Sequence, residues 1–170
     1  MGKTRRILKK GRFIITKKGR FVLNLSNKIV KSLKPYCKKI QIVGSIRRKE
    51  KNPVDVDITL IPKNNESKKK IENNLRNKGR FVQGGEKRAT FRIKGVKIEL
   101  YYTTEDSWGA TLLAYSSRFG AGIGLRIVAR KKGFKLNQYW LFRGNKKVAG
   151  KTEEEIYHAL GREWKSPELR

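Results

Sequence analysis

Two aspartates alternate with apolar residues in one short segment of the chain. Residues 54–60 read VDVDITL, so an extended backbone places Asp55 and Asp57 on one face and the aliphatic residues, from Val54 to Leu60, on the other. Neighbouring carboxylates repel each other, and a divalent cation that binds both removes the repulsion. The segment therefore predicts a strand with a Mg²⁺ site. Two solvated carboxylates, each paired with lysine or arginine, would produce the same alternation.

Two further segments supply residues for the same chemistry. In VKIELYY, Glu99 alternates with apolar residues, so a third carboxylate can reach the site. Gly44 and Ser45 follow a predicted strand, where the backbone amides that open a short helix can hold a phosphate. Arg48 adds a guanidinium for phosphate oxygens. Three carboxylates, two metal ions and a triphosphate would together support in-line phosphoryl transfer.

Basic residues greatly outnumber acidic ones. The 170-residue chain has 43 Lys and Arg against 14 Asp and Glu, and this net charge of +29 predicts salt-dependent binding to nucleic acid. The hydrophobic fraction of 37% is sufficient for a folded core. One cysteine and one histidine exclude an intramolecular disulfide and cysteine- or histidine-rich metal centres. Because no apolar stretch resembles a membrane span or a signal peptide, we expect a soluble, intracellular protein without a membrane partner.

The elements that must position these residues follow from periodicity and turn signals. The repeat KKGRFIIT, KKGRFVLN predicts a basic β-meander over residues 1–24, followed by a helix with Ser26 as its N-cap that ends at Pro35. The next elements are a strand that ends at Gly44, the strand Val54–Ile61, a helix over Glu66–Lys78, and the strands Arg80–Gln83, Arg88–Ile93 and Val96–Tyr102. From Thr104 the pattern predicts a helix, a glycine-rich bend at SSRFGAGIG, a hairpin and a final helix with a capping box. This order indicates an α+β fold.

The order and spacing of these motifs resemble the X-family DNA polymerases of the nucleotidyltransferase superfamily. The sequence GSIRR, with DVD starting eleven residues after its glycine, is similar to the family's G-S-x-R-R and D-x-D signature. Further similar segments are GGEK for a G-x-x-K loop, WGATLL for a W-G-A-x-L-L helix, LR for a DNA-contacting helix and KKGFKLNQYWLF for a hairpin. The similarity runs from about residue 20 to the C-terminus. The reduced plan resembles the small repair polymerases of large DNA viruses.

The resemblance implies a domain organisation. Residues 25–103 would form a nucleotidyltransferase palm, a mixed sheet with helices, and the meander over 1–24 would extend it. Residues 104–170 would form a small C-terminal α/β lobe that binds the nucleotide and the nascent base pair. The lyase and DNA-binding domain that many members carry in front has no counterpart, so we expect no deoxyribose-phosphate lyase activity.

The resemblance also implies roles for residues at matched positions. The catalytic and metal-binding residues, for two Mg²⁺ ions with Mn²⁺ as an alternative, would be Asp55, Asp57 and Glu99. The triphosphate would contact Gly44, Ser45 and Arg48. The nucleotide would contact Tyr115, Ser116 and Asn137. DNA would contact Lys87, Arg126 and Tyr139.

The implied function is template-directed addition of dNTPs to a primer 3′ end, at short gaps in DNA repair, by a monomer that binds gapped or primer–template DNA. Two departures keep alternatives open. The third acid is Glu99 where the family has aspartate, and AYSS at 114–117 replaces the family's Y-F-[ST]-G sugar-binding turn, which predicts weaker rejection of ribonucleotides. The alternatives are a template-independent terminal or RNA nucleotidyltransferase, and a catalytically inactive nucleic-acid-binding homologue.

Overall fold

A mixed five-stranded sheet forms the N-terminal lobe of the computed structural model, which describes residues 14–170. Its strands are β1 Cys37–Ile42, β2 Val56–Pro62, β3 Arg80–Gly84, β4 Arg88–Ile93 and β5 Val96–Tyr102. The order across the sheet is β1-β2-β5-β4-β3. The central pair, β2 and β5, is parallel, and the other neighbours are antiparallel. The predicted strands are therefore confirmed, and the two that carry the acidic residues lie side by side.

Two long helices cover one face of this sheet. Helix α1 spans Lys17–Leu33, the short α2 spans Gly44–Arg47 and α3 spans Asn65–Arg76. The apolar residues of α1 and α3 pack with the aliphatic face of β2 and β5 in one core, whose fully buried members include Ile29, Leu33, Ile58, Ile71, Leu75, Phe91, Ile98 and Leu100. Each such side chain contributes roughly 1.5–3 kcal/mol relative to an exposed one. The burial of one sheet face leaves the alternate residues of β2 and β5, including the acids, on the other.

The prediction of a β-meander is wrong for the part of the segment that the structure describes. The second repeat lies in α1, and the Thr16 side chain caps this helix by accepting a hydrogen bond from the Gly19 N–H at 3.0 Å. Ser26, the predicted cap, is buried in mid-helix because Val22 and Ile29 continue the apolar stripe toward the N-terminus. Helical packing thus overrides the turn signal of a single glycine. Residues 1–13 lie outside the described residues.

Two details of the sheet refine the prediction. Strand β2 begins at Val56, and Val54 is 62% exposed. The buried aliphatic face therefore starts at Val56 and not, as expected, at Val54. The Lys94-Gly95 turn between β4 and β5 is confirmed, because both residues have positive φ, at 49° and 80°. This is the backbone that a two-residue hairpin requires.

The second lobe combines three helices with a small antiparallel sheet. Its elements are α4 Trp108–Ser116, α5 Phe119–Lys131, β6 Lys135–Leu136, β7 Leu141–Arg143, β8 Lys146–Ala149 and α6 Glu153–Ala159. The predicted bend is limited to Ser117 and Arg118, between α4 and α5, and the glycines that were predicted to form it lie in the first turns of α5 instead. Leu125 and Ala129 of α5 are buried in the lobe core, and this packing offsets the roughly 1 kcal/mol that each helical glycine costs. The capping box at Thr152 and Glu155 is confirmed.

Helix α4 joins the two lobes. Ala110 and Leu113 pack in the core of the second lobe, whereas Leu112 packs with Val43 and Tyr101 of the first. The two sheets and their helices confirm the predicted α+β fold. The contacts of α4 place the second lobe beside the acidic face of the five-stranded sheet. Among the described residues, no helix combines the length and apolar character that crossing a membrane requires.

Candidate active site

The register of β2 and β5 places two of the predicted acids side by side. Asp57 pairs with Glu99 across these parallel strands. Asp55 precedes β2 by one residue, and its side chain is 30% exposed, against 13% for Glu99. The face predicted from alternation therefore exists, and it gathers the three carboxylates at the two central strands of the sheet.

Two donors that were not predicted connect these carboxylates. The Lys97 Nζ lies 3.0 Å from Glu99 Oε2 and 3.7 Å from Asp55 Oδ2. The Tyr101 hydroxyl lies 3.1 Å from Glu99 Oε2 and 3.3 Å from Asp57 Oδ1. A tyrosine hydroxyl has one proton, so Tyr101 shares it between two acceptors. The alternation in VKIELYY places Lys97 and Tyr101 on the same strand face as Glu99. This pattern is the sequence signal from which their contact with the acids could have been predicted.

The electrostatics of the site favour added positive charge. Burial, together with the nearby carboxylates of Asp55 and Glu99, raises the pKa of Asp57 to about 6. The hydrogen bond to Glu99 raises the pKa of Lys97, so its ammonium stays charged. A cation among these acids would relieve both the burial of charge and the mutual repulsion.

The donor chemistry fits a hard divalent cation, because Mg²⁺ prefers carboxylate oxygens. Within residues 14–170, however, no group of three or more His, Cys, Asp or Glu side chains is arranged as a metal centre. The positive group between Asp55 and Glu99 is Lys97. Metal binding by Asp55, Asp57 and Glu99 thus remains a prediction, and the lysine marks where these acids require positive charge.

A glycine brings the backbone of α2 against the buried acid. Gly44 has φ of +64°, and a Cβ at this position would lie 2.3 Å from Asp57 Oδ2. The preceding Val43 N–H donates to the Asp57 carbonyl at 2.8 Å. The Gly44-Ser45 turn is therefore fitted to Asp57, and Ser45 is half-buried at the start of α2.

We expect Gly44→Ala to reduce nucleotide addition by about 10²-fold, because the methyl group would displace the Asp57 carboxylate. The matched control is Gly95→Ala, which has a similar positive φ of +80° but nothing within 4 Å of the added methyl group. Both variants carry the roughly 1–2 kcal/mol of left-handed backbone strain. Primer-extension rates and thermal unfolding of both variants test this expectation. Equal rates for the two variants would contradict it.

The two arginines after Ser45 have different partners. Arg48, predicted to bind phosphate, donates to Glu50 at 2.9 and 3.0 Å and lies 3.4 Å from the Ser116 carbonyl. The Glu50 side chain is 39% exposed, so a phosphate can compete for this guanidinium. Arg47 instead donates to Glu153 at 2.8 and 3.0 Å and to the Ser116 hydroxyl at 2.7 Å.

The residues predicted to contact the nucleotide do not share one environment. Tyr115 stacks on Tyr101 with ring centroids 3.7 Å apart and planes 14° apart, so it lies beside the carboxylates. Ser116 is fully buried, and its hydroxyl accepts from Arg47, which gives it a role between the lobes in this structure. The Asn137 side chain accepts from the Tyr139 and Trp140 N–H groups at 2.8 and 2.9 Å. Asn137 therefore shapes the turn after β6.

The residues predicted to contact DNA lie on both lobes. The Lys87 ammonium lies 4.9 Å from the centroid of the Tyr139 ring, across a cleft that Thr103, Ser107 and Trp140 also line. Arg126 is exposed on α5 and lines a groove with Asn137. Lys87 and Tyr139 are thus brought together, whereas Arg126 lines a different groove, which it shares with Asn137.

One buried ion network was not predicted at all. Glu153, which is 4% exposed, accepts hydrogen bonds from Arg47, Arg170 and the Trp164 indole at 2.8 to 3.2 Å. It connects α2 of the first lobe to α6 and the C-terminal residues of the second. Arg47 and Glu153 are 106 positions apart, so no local pattern indicates their pairing.

Comparison with known proteins agrees with this arrangement. Residues 123–170 match the family described as DNA polymerase beta thumb. The chain is also 30% identical, over 147 residues, to proteins named Repair DNA polymerase X from African swine fever virus isolates Tick/Malawi/Lil 20-1/1983 and Pig/Kenya/KEN-50/1950 and from strain Badajoz 1971 Vero-adapted. Each alignment covers 81% of this chain and 84% of the relative. The chain therefore belongs to the X-family DNA polymerases.

Proposed function

We propose that this repair DNA polymerase adds dNTPs to a primer 3′ end under the direction of a template, at short gaps in duplex DNA. The observation that carries the proposal is the pairing of Asp57 with Glu99 on adjacent parallel strands, with Asp55 beside them and the Gly44 backbone fitted to Asp57. A sheet with one face buried and an acidic cluster on the other is suited to bind metal ions and the reacting groups together.

Asp55, Asp57 and Glu99 are the residues that would hold two Mg²⁺ ions. When bound, these ions would activate the primer hydroxyl and stabilise the leaving pyrophosphate. The chain's own residues contact the acids: the Tyr101 hydroxyl lies within hydrogen-bond distance of both Asp57 and Glu99, and the Gly44 backbone lies close against Asp57. The Arg48 guanidinium would bind a phosphate if a triphosphate oxygen replaced the Glu50 carboxylate as its hydrogen-bond partner.

The charge distribution supports DNA as the partner. The net charge of +29 provides sequence-independent attraction to phosphates. Lys87 and Tyr139 face each other across the cleft between the lobes, and Arg126 is exposed on α5. In our proposal Lys87 and Arg126 contact the DNA backbone, and Tyr139 supports Lys87 by a cation–π contact.

Extension of a primer on a duplex with a one-nucleotide gap tests the function. We expect addition of the complementary dNTP with Mg²⁺, and no continued addition to an ungapped single strand. Untemplated extension of the single strand would instead indicate a terminal transferase. Tight, salt-sensitive DNA binding without extension in either Mg²⁺ or Mn²⁺ would indicate an inactive homologue and contradict the proposal.

We expect weak selection against ribonucleotides, of about 10²-fold or less, because an apolar contact rejects an added hydroxyl poorly. Tyr115 is held by stacking on Tyr101, and Ala114 replaces the first aromatic residue of the family's sugar-binding turn. Competing dNTP and rNTP incorporation measures this ratio. Ala114→Tyr restores the aromatic residue and should increase selection for dNTPs. Strong dNTP selection by the unmodified chain would contradict this expectation.

A further inference from the structure

Lys97 occupies an unusual position for a lysine in a strongly basic protein. Its ammonium contacts two of the three acids of the site, at 3.0 Å from Glu99 and 3.7 Å from Asp55. Most of the 43 basic side chains can remain in solvent, whereas this one is directed at the acidic cluster from the same face of β5 that carries Glu99. Its side chain is 40% exposed, so a path to solvent remains open.

We propose that Lys97 is a built-in counterion, which neutralises the carboxylates in the metal-free protein and which a metal ion displaces on binding. The inference rests on the proposed function, because it takes Asp55, Asp57 and Glu99 as the metal-binding set. The observation behind it is that the Lys97 ammonium lies within ion-pair distance of both Asp55 and Glu99.

Competition follows from charge and space. A cation that binds Glu99 and Asp55 would lie within a few ångströms of the ammonium, and like charges at that separation repel each other when they are partly shielded from water. The flexible four-carbon stem of lysine lets the ammonium move into solvent. Lys97 therefore lowers the affinity of the metal-free site for metal while pairing with Asp55 and Glu99.

The test uses Tb³⁺, an oxygen-seeking ion whose luminescence is excited through nearby tyrosines such as Tyr101 and Tyr115. The full chain is titrated with Tb³⁺ alone, without DNA or nucleotide. The test variants are Lys97→Met, which removes the ammonium and keeps the length, and Lys97→Arg, which keeps the charge. Lys69→Met, at an exposed lysine of α3, is the matched control for a lost positive charge. Lys97→Gln repeats the test with a polar side chain.

We expect Lys97→Met and Lys97→Gln to bind Tb³⁺ about tenfold more tightly than the unmodified chain, with less than about a twofold change for Lys97→Arg and Lys69→Met. The Mg²⁺ concentration for half-maximal extension should fall in parallel. Affinity that is unchanged or weaker in Lys97→Met overturns the inference. Asp57→Asn separates this failure from failure of the site itself, because Tb³⁺ binding that does not depend on Asp57 would refute the metal-binding assignment as well.

Discussion

Replacement of Asp57 by asparagine is expected to reduce templated nucleotide addition by at least about 10³-fold, equivalent to about 4 kcal/mol of transition-state stabilisation. Asparagine keeps the shape of the side chain and an oxygen acceptor for the Tyr101 hydroxyl, so the change removes charge with little change in packing. In the proposed mechanism, phosphoryl transfer depends on metal ions that the charged carboxylate would hold. The measurement is single-turnover extension on the one-nucleotide gap.

Thermal unfolding separates lost chemistry from lost structure in this variant. The pKa of Asp57 is raised to about 6 by burial and by Asp55 and Glu99, which means that the folded protein disfavours the charged form. Above pH 6, removal of this charge should therefore not lower the unfolding midpoint. Asp106→Asn is the matched control, because Asp106 is exposed and pairs only loosely with Lys151, at 3.5 Å. An Asp57→Asn variant as active as Asp106→Asn would contradict the catalytic assignment.

Glu153→Gln is expected to destabilise the protein by about 3 kcal/mol or more and to lower its unfolding midpoint by about 10 °C. The reason is that Arg47 and Arg170 would lose their shared carboxylate while their side chains, 16% and 2% exposed, stay buried. The network also connects the lobes, so we expect extension activity to fall with stability. Glu154→Gln makes the same chemical change at the next, exposed residue of α6. Equal unfolding midpoints for the two variants would show that the Glu153 network does not contribute to the stability of the fold.

The effect of Glu153→Gln should depend on pH. Burial alone would raise the pKa of Glu153, but hydrogen bonds from Arg47 and Arg170 lower it below its ordinary value of 4.5. A lowered pKa means that the carboxylate stabilises the fold fully above pH 4.5 and that this contribution is lost as the pH falls through the lowered value. The difference in midpoint between Glu153→Gln and the unmodified chain should thus be complete at pH 7 and shrink below pH 4.5. A difference that stays constant down to pH 3 would contradict this linkage.

The most informative segments of the sequence were those in which apolar and polar residues alternate with a period of two. Alternation in VDVDITL and VKIELYY placed Asp57 and Glu99 on the faces of two strands opposite their aliphatic residues, and these strands are neighbours in the sheet. The same alternation contained Lys97 and Tyr101, although only their contacts show that they connect the acids. A period of two thus identifies the face of a strand and leaves its partners open.

The errors arose where a local signal opposed long-range packing. Gly19 suggested a turn, yet Val22, Ile29 and Leu33 pack α1 on the sheet and continue it to Thr16. The glycines after Arg118 suggested a bend, yet the burial of Leu125 and Ala129 holds α5 as a helix. Glycine lowers helix propensity by only about 1 kcal/mol, so a buried apolar face outweighs it.

From the sequence alone one can derive a basic protein with an α+β fold, a pair of acidic strands and a glycine turn before the first of them, since each depends on composition or on residues close along the chain. The tertiary structure alone decided which groups neutralise the acids, that Arg48 pairs with Glu50, and that Glu153 joins the lobes through Arg47 and Arg170. The physical reason is that buried charges are stable only when oppositely charged groups reach them, and those groups come from distant parts of the chain that only the folded packing brings together.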